Sequence, residues 1–458
     1  MGGCPVNVNS MRNVSIIGAG LVGCLAAIYL ARRGYEVNIF ESRSDSRAGC
    51  TDTGRSINLA MSCRGITALA EAGILSVLEK LMVPMRARAI HDENGRIKYQ
   101  AFGRTHDEHI NAIQRNDLNR LLLDEAGKFP SVHWHFDTTL LSLDVSKKTA
   151  HFRRRDGSEF LHAYRHVIGA DGAASQVRDS LQRQGLIGAS RTFFPHGYKE
   201  ITIAGAASTH LAREHLHLWP RTSFLLLGNP NLDSSVTGSL FLPMDGQNSF
   251  ADLDSEPRVR AFFEQAFPDV FPAMPDVAGD FLDHPTGRMS TVKSSPWYYD
   301  DQCLLIGDAA HGLIPFFGQG MNSGFEDCRI LNELLDRHHD DWWQVMPAFY
   351  RLRKPDTDAV SEMSMANYHE IQTGILDEHF NLKKQLEQNL MRRYATRYVS
   401  KHVLVMFSNT PYAVALAHGR LQSKLLDSIC RQAGRIEDVD WLRVDALMQE
   451  YDKELALL

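Results

Sequence analysis

The chain has 458 residues, with 49 Lys and Arg against 55 Asp and Glu for a formal charge of −6. That length predicts roughly two to four domains that no single apolar core would serve. With 44% hydrophobic and 23% charged residues, disorder, collagen and coiled coil are excluded as whole-chain descriptions, and the lack of a basic surplus excludes a general affinity for nucleic acid.

The opening MGGCPVNVNSMRN lacks the apolar core of a signal peptide, and Val6 stands where a myristoylation signal requires Ser or Thr. Val14 to Ile17 is a short apolar run, predicted as a strand, that enters Gly18-Ala19-Gly20-Leu21-Val22-Gly23. A helix is predicted over 21–33, ended by Gly34, and a second strand over 35–40, finishing at Glu41. In such a β-α-β unit Gly18 permits the tight turn, Gly20 lets a pyrophosphate approach the backbone, and Gly23 lets helix pack on strand. The helix amino terminus at Leu21 and Val22 offers free N–H groups and a positive dipole end to phosphate. Glu41, 18 residues after Gly23, is placed to accept from ribose hydroxyls, and Arg43 beside it is counted with the nucleotide site.

Helical spacing runs over 110–127 (Leu118, Leu121, Leu122), and 131–143 and 148–153 read as strands, with a turn at Asp156-Gly157. Arg153 to Arg155 reads as a solvated hairpin edge. A second junction carries Val167-Ile168 into Gly169-Ala170-Asp171-Gly172, where Asp171 taken alone is equally a helix cap. From 196 to 245, Thr, Leu, Phe and turn residues (Gly228-Asn229-Pro230-Asn231) predict an antiparallel sheet. The third junction, Leu304-Leu305-Ile306-Gly307-Asp308, is a buried strand delivering Gly-Asp. It continues through Pro315-Phe316-Phe317-Gly318-Gln319-Gly320-Met321-Asn322 into a helix on which Phe325, Cys328, Leu331 and Leu334 recur. Asp308 suits a ribityl hydroxyl. The backbone amides of 318–322, with the helix dipole behind them, suit negative charge on a reduced isoalloxazine. Three such pieces converge on a flavin. Residues 341–458 predict helices, and the whole reads as an α/β nucleotide domain, an inserted sheet and a helical carboxyl-terminal region.

The order and spacing of the three junctions resemble the single-component FAD-dependent aromatic hydroxylases of the para-hydroxybenzoate hydroxylase type, over about residues 12–335. The resemblance implies an α/β chain with a Rossmann-like FAD-binding domain (12–85, 105–182 and 283–340). It also implies an antiparallel β-sheet substrate domain (86–104 and 183–282), and the helical stretch beyond it (341–458), which contains Asn367 and His402, is expected as a domain that caps the substrate pocket. It places FAD against Gly18, Gly20, Leu21, Val22, Gly23, Glu41, Arg43, Asp171, Gly307, Asp308, Pro315, Gly318, Gly320, Met321 and Asn322. Arg55, Arg115 and Asn119 look like further cofactor positions, and Asp171 would serve NAD(P)H as well.

Further strings resemble the kynurenine 3-monooxygenase family. They are Gly54 to Ala60 (GRSINLA), Met85 to Arg88 (MRAR), Phe102 to Arg104 (FGR), His196 to Glu200 (HGYKE), Leu216 to Pro220 (LHLWP), His284 to Gly287 (HPTG) and Met406 to Ser408 followed by Pro411-Tyr412. That resemblance implies hydroxylation of an aromatic ring ortho to an amino group, with FAD, NADPH (or NADH) and O2, through a flavin C4a-hydroperoxide. The substrate would be a small aromatic amino-acid-like or aryl carboxylate molecule. By motif, Arg88 holds its carboxylate, Asn367 contacts its amino-acid end and Gln319 lies beside the ring. Phe102 and His402 stand where the family has Tyr, and Phe317 where it has His. Losing polar groups changes what a pocket discriminates. Kynurenine, a ring-substituted kynurenine, another aminoaryl ketone or aryl amine, and a quinoline carboxylate therefore stay open, as does an FAD oxidoreductase that inserts no oxygen. No acid–base dyad is required, since the cofactor carries the chemistry.

His133-x-His135, His215-x-His217 and His338-His339-Asp340-Asp341 each lack a third ligand at structural spacing and read as solvated or core groups rather than a metal site. The hydrolase signature G-x-S-x-G is not found. The Trp342-Trp343 pair and Val403–Phe407 are expected over the substrate pocket. The most apolar stretch, 402–418, is broken by Ser408, Asn409, Thr410 and Pro411, so no membrane span is expected. Seven cysteines without a Cys-x-x-Cys pair predict a reducing compartment, and the cytoplasm is the expected location. Monomer and homodimer both stay open.

Overall fold

The computed structural model describes residues 12–48, 58–205, 211–373 and 378–458. The short apolar runs of the sequence become the middle of a six-stranded sheet in the order Tyr298–Tyr299, Cys303–Leu305, His166–Gly169, Asn13–Ile17, Glu36–Phe40, Val132–His135. All neighbours are parallel except the first pair. Asn13–Ile17 and His166–Gly169 are buried at every position, as expected of strands covered on both faces. The register sets Ile17 opposite both Phe40 and Gly169, and Gly169 opposite Leu305. Three strand-end turns therefore leave the sheet at one edge, the place where open α/β sheets receive ligands.

A seven-stranded sheet follows the order Gly287–Ser295, Gly188–Ile203, Val236–Pro243, Leu225–Pro230, His215–Pro220, Ala87–His91, Ile97–Ala101. It is antiparallel apart from the pairing of His215–Pro220 with Ala87–His91. Its outer face packs on the helices Glu256–Ala266 and Val277–Asp283 through Trp219, Leu226, Leu240, Phe263 and Phe281. Two three-stranded sheets complete the β structure.

Several local expectations need correction. Residues 110–127 are not one helix: Ile110–Ile113 is a strand between Leu59–Met61 and Val83–Met85, and the helix is Arg115–Gly127. The stretch 131–143 splits into Val132–His135 and Thr138–Asp144, because Asp137 takes a positive φ of 52° between them. Gly228-Asn229-Pro230 belongs to a strand, and the turn falls later, where Asn231 accepts from the Ser234 N–H and donates to Ser235 O.

The carboxyl-terminal helices Trp342–Thr373, Glu378–Arg393, Lys401–Phe407, Tyr412–Cys430 and Trp441–Leu455 do not form an isolated bundle. Trp342, Val345, Met346 and Phe349 belong to the core of the six-stranded sheet, and the Trp342 indole N–H donates to Tyr35 Oη at 3.1 Å. The expected Trp pair over the pocket is thereby overturned: Trp342 is buried far from that role and Trp343 is 62% exposed. Val405 and Met406, by contrast, do join Phe102, Phe317, Val360 and Met363 in a small apolar cluster.

Buried charge fastens the same helices to the nucleotide-type sheet. Arg353 donates through Nε to Asp327 Oδ1 at 2.8 Å and through Nη1 to Glu326 Oε2 at 2.7 Å. Asp327 Oδ2 in turn accepts from the Gly307 N–H at 2.9 Å and pairs with His311 Nε2 at 2.6 Å. Burial alone would raise the Asp327 carboxyl, but the His311 and Arg353 partners hold it below the usual carboxylate range. Arg64 ion-pairs with Glu326 at 3.3 Å and donates to the carbonyls of Val405, Ser408 and Thr410. Removing one member of such a set strands the others in low dielectric. Arg353→Ala is expected to lower unfolding stability by about 3–5 kcal/mol, measured by denaturant titration, whereas Arg351→Ala, on the same helix, should change it by less than about 0.5 kcal/mol.

Candidate active site

A single cavity of about 1520 Å³ runs from the strand-end turns of the six-stranded sheet to the inner face of the seven-stranded sheet. Gly18, Gly20, Leu21, Val22, Glu41, Arg43, Arg115, Asp171, Asp308, Pro315, Gly318, Gly320 and Met321 line one part of it. Arg88, Phe102, Phe317, Gln319, Asn367 and His402 line the other. Gly23, Gly307 and Asn322 lie behind the wall: they shape the turns and do not face the space. Arg55 lies outside the described residues.

Gly18 adopts φ 102°, and a Cβ there would stand 2.6 Å from Ala170 O. A Cβ on Gly23 would stand 2.0 Å from Gly18 O, whereas one on Gly20 would meet nothing within 4 Å. The turn is thus closed on its protein side and open on its cavity side, a cradle for a flat anionic group at the amino terminus of Leu21–Arg32. Glu41 accepts from the Ala19 N–H at 2.8 Å and from Arg43 N and Nε, each at 2.9 Å. Burial raises its carboxyl, but Arg43 and the two backbone N–H groups hold it below the usual range. The Ser42 hydroxyl and Arg43 Nη2 complete the donor set, so the carboxylate is held firmly in place on the cavity wall. Asn119 donates to Ala19 O at 3.2 Å and braces the same turn.

Asp171 serves two ends at once. Oδ2 caps the helix Gln176–Arg183, accepting from Gln176 N at 2.7 Å and Val177 N at 3.2 Å. Oδ1 is buried without a partner among the described residues, and burial raises this carboxyl. An orphaned acceptor on a cavity wall suits a donor brought by a ligand. Arg178 ties this turn to the next, donating to Ala173 O at 2.9 Å and Ala309 O at 3.2 Å.

The third turn has Gly307 at φ 56° and Gly318 at φ 65°. Among the described residues the Asp308 carboxylate makes no hydrogen bond or ion pair, and it opens onto the cavity. Asn322 stitches the turn together: Oδ1 accepts from Ser62 N, and Nδ2 donates to Ala60 O and Gly318 O, each at 2.9 Å. The backbone of 318–321 is left at the amino end of the helix Gly320–Arg337, whose dipole favours negative charge.

At the far end, Arg88 projects from Ala87–His91. Its guanidinium stands 4.9 Å from the Phe102 ring and donates to Gln100 Oε1 at 3.4 Å, with no carboxylate in ion-pair range among the described residues. Burial lowers its pKa to about 10, which leaves it a cation at neutral pH. The His402 ring lies 6.0 Å from Phe102 at 17°, and its Nε2 is buried without a partner among the described residues. Burial and the nearby Arg88, Lys384 and Lys401 hold His402 well below the ordinary imidazole range, so it is neutral. Asn367 donates to Phe316 O and pins the backbone beside Phe317.

Sequence reasoning missed other parts of the wall: Tyr198, Phe241, Met363, Glu370, Lys384 and Lys401. Alternation along 196–245 marks Tyr198 and Phe241 as sheet residues. Only the packing of the helices over the sheet shows which face looks inward. Among the described residues no three His, Cys, Asp or Glu side chains gather as a metal site, and His133 pairs instead with Glu36 at 2.8 Å. No helix of the described residues is long and apolar enough to cross a membrane.

The FAD binding domain family model matches residues 11–230 and 253–342. The tetrameric form of 2-methyl-3-hydroxypyridine-5-carboxylic acid oxygenase superposes with a TM-score of 0.66 at 19% identity, covering 82% of this chain and 95% of that one. A p-nitrophenol 4-monooxygenase from Pseudomonas putida DLL-E4 has a TM-score of 0.66 at 18% identity, covering 83% and 93%. Fold and site thus define an FAD-binding protein with the fold of these flavin oxygenases. Kynurenine 3-monooxygenase of Legionella pneumophila (strain Corby) is 57% identical over 446 residues, 97% of this chain and 99% of the relative. That of Myxococcus xanthus (strain DK1622) is 40% identical over 446 residues, 95% and 94%. The chain belongs to the kynurenine 3-monooxygenase family.

The close approach of Gly23 to Gly18 O makes an added side chain there incompatible with the open turn. Gly23→Val is expected to purify with less than about a tenth of the wild-type FAD, read from visible absorbance per mole of protein; full occupancy would show that the turn is not the cradle.

Proposed function

We propose that this chain hydroxylates kynurenine with FAD, NADPH and O2. The observation that carries the reading is Arg88: a desolvated cation without a carboxylate partner among the described residues, at the apolar, aromatic end of the cavity whose other end is the flavin-type cradle. A guanidinium so placed suits a bidentate carboxylate. Phe102 has no hydroxyl to support that carboxylate. The unpartnered Nε2 of His402 lies beside the same ring and supplies a polar contact in its stead. Asn367 retains its Oδ1 for the amino-acid end of the substrate.

In this reading the ADP part of FAD lies on Gly18–Val22, with its ribose on Glu41 and Arg43. Arg115 and Asp171 serve the pyrophosphate region and its approach, Asp308 the ribityl chain, and Pro315, Gly318, Gly320 and Met321 the ring. Bound FAD supplies the redox chemistry, taking reducing equivalents from NADPH and delivering one oxygen atom of O2 to the substrate. The protein's own part is to orient the ring and keep water out. Phe316, Phe317, Phe241 and Met406 make the apolar wall that does so. The N–H groups of 319–321 would meet negative charge on the reduced ring system, the Gly318 N–H being given to Pro315 O. The five described cysteines are free thiols, which supports a reducing compartment, the cytoplasm.

The test is aerobic NADPH oxidation with kynurenine and product mass by spectrometry. Hydroxykynurenine in step with NADPH supports the reading, and NADPH consumed with peroxide as the sole product overturns it. Arg88→Ala is expected to raise the kynurenine Kd by about 10- to 100-fold while FAD content stays within about a fifth of wild type. Arg88 stays charged below about pH 10 and His402 stays neutral. The Kd of the wild type should therefore change less than about threefold between pH 6 and 8, and a titration of flavin fluorescence checks it.

A further inference from the structure

Gln319 is buried in the cavity wall just before the helix Gly320–Arg337, and the two ends of its carboxamide have unlike neighbours. Oε1 accepts a hydrogen bond from the Tyr412 hydroxyl at 2.8 Å and lies 3.4 Å from Ser62 Oγ. Nε2 faces Met406 Sδ at 3.3 Å. A thioether accepts weakly and cannot donate. Turning the amide over would set its oxygen against sulfur lone pairs, so this orientation alone gives both ends a partner.

Tyr412 is fully buried and outside the cavity lining, as is Ser62, whereas Met406 is part of the lining. The oxygen of Gln319 is thus drawn away from the cavity and its nitrogen left on the cavity side. Tyr412 has little freedom to do otherwise. The Arg64 guanidinium stands 3.9 Å from its ring centroid, and Arg64 is itself held by Glu326 and by the carbonyls of Val405, Ser408 and Thr410.

We propose that Tyr412 is a positioning residue: it fixes the Gln319 amide with Nε2 toward the cavity, so the pocket presents a hydrogen-bond donor beside the aromatic ring. That donor selects substrates with an acceptor on the ring, the aryl ketone oxygen of kynurenine, over those without one. The inference rests on the kynurenine reading and adds to it the group that reads the ketone.

Wild type, Tyr412→Phe, Gln319→Leu and the double variant are compared on kynurenine and on its analogue with CH2 in place of the ketone. The wild type is expected to bind kynurenine about tenfold more tightly than the methylene compound. Tyr412→Phe should lose most of that preference and form less product per NADPH consumed, with FAD content and Tm close to wild type. Adding Tyr412→Phe to Gln319→Leu should change the preference no further. A preference retained in Tyr412→Phe, or additive effects in the double variant, overturns the proposal. Should Tyr412→Phe fail to fold, wild type and Gln319→Leu decide: equal affinity of wild type for the two compounds overturns it. A wild type that neither binds nor hydroxylates kynurenine overturns the kynurenine reading itself, and this inference with it.

Discussion

The register of four parallel strands is the constraint on which the rest depends. Because Ile17 stands level with Phe40 and Gly169, and Gly169 level with Leu305, turns that are far apart in sequence open side by side. A slip of one residue in any pair would turn a strand's side chains to the other face of the sheet and move its turn away from the others. Burial on both faces is what fixes the register, through Val14, Ile16, Ile39, Ile168 and Leu304, all fully enclosed. The site is in this sense a product of core packing: apolar side chains that never meet a ligand determine where Gly18, Asp171 and Asp308 arrive.

The three junctions were legible in the sequence because each is local. Strand, turn and helix follow one another within about ten residues, and the glycines sit where a bare backbone is needed. The helix on Phe325, Cys328, Leu331 and Leu334 was legible for the same reason. What failed was also local in cause. Ile110–Ile113 carries too few residues for alternation to show, and the helical spacing of Leu118, Leu121 and Leu122 absorbed it. Asp137 divides a strand through a left-handed backbone that no neighbour announces.

The buried ions were not legible at all. Glu326 and Asp327 lie on a helix whose apolar spacing marks one face for the core, which leaves them looking like solvent-facing acids. They are buried because a second helix, Trp342–Thr373, covers that face and brings Arg353 with it. The same holds for Asp171, whose sequence context suggests a helix cap. One of its oxygens is a cap, and the other is the orphan that a ligand would satisfy. At Arg88 the basic run alone reads as surface, and only the family resemblance pointed to a pocket shared with Phe102 and His402, where among the described residues the guanidinium has no carboxylate partner.

The chain of contacts from Arg353 through Asp327 to the Gly307 amide bears on how such enzymes diversify. A lineage cannot exchange its carboxyl-terminal helices as an independent cassette, since a graft lacking an arginine at that spot would leave two acids stranded beneath the cofactor turn. Recombination between relatives would have to keep both sides of this junction together. New specificities would therefore be expected to arise through single replacements on the pocket wall rather than through shuffled modules.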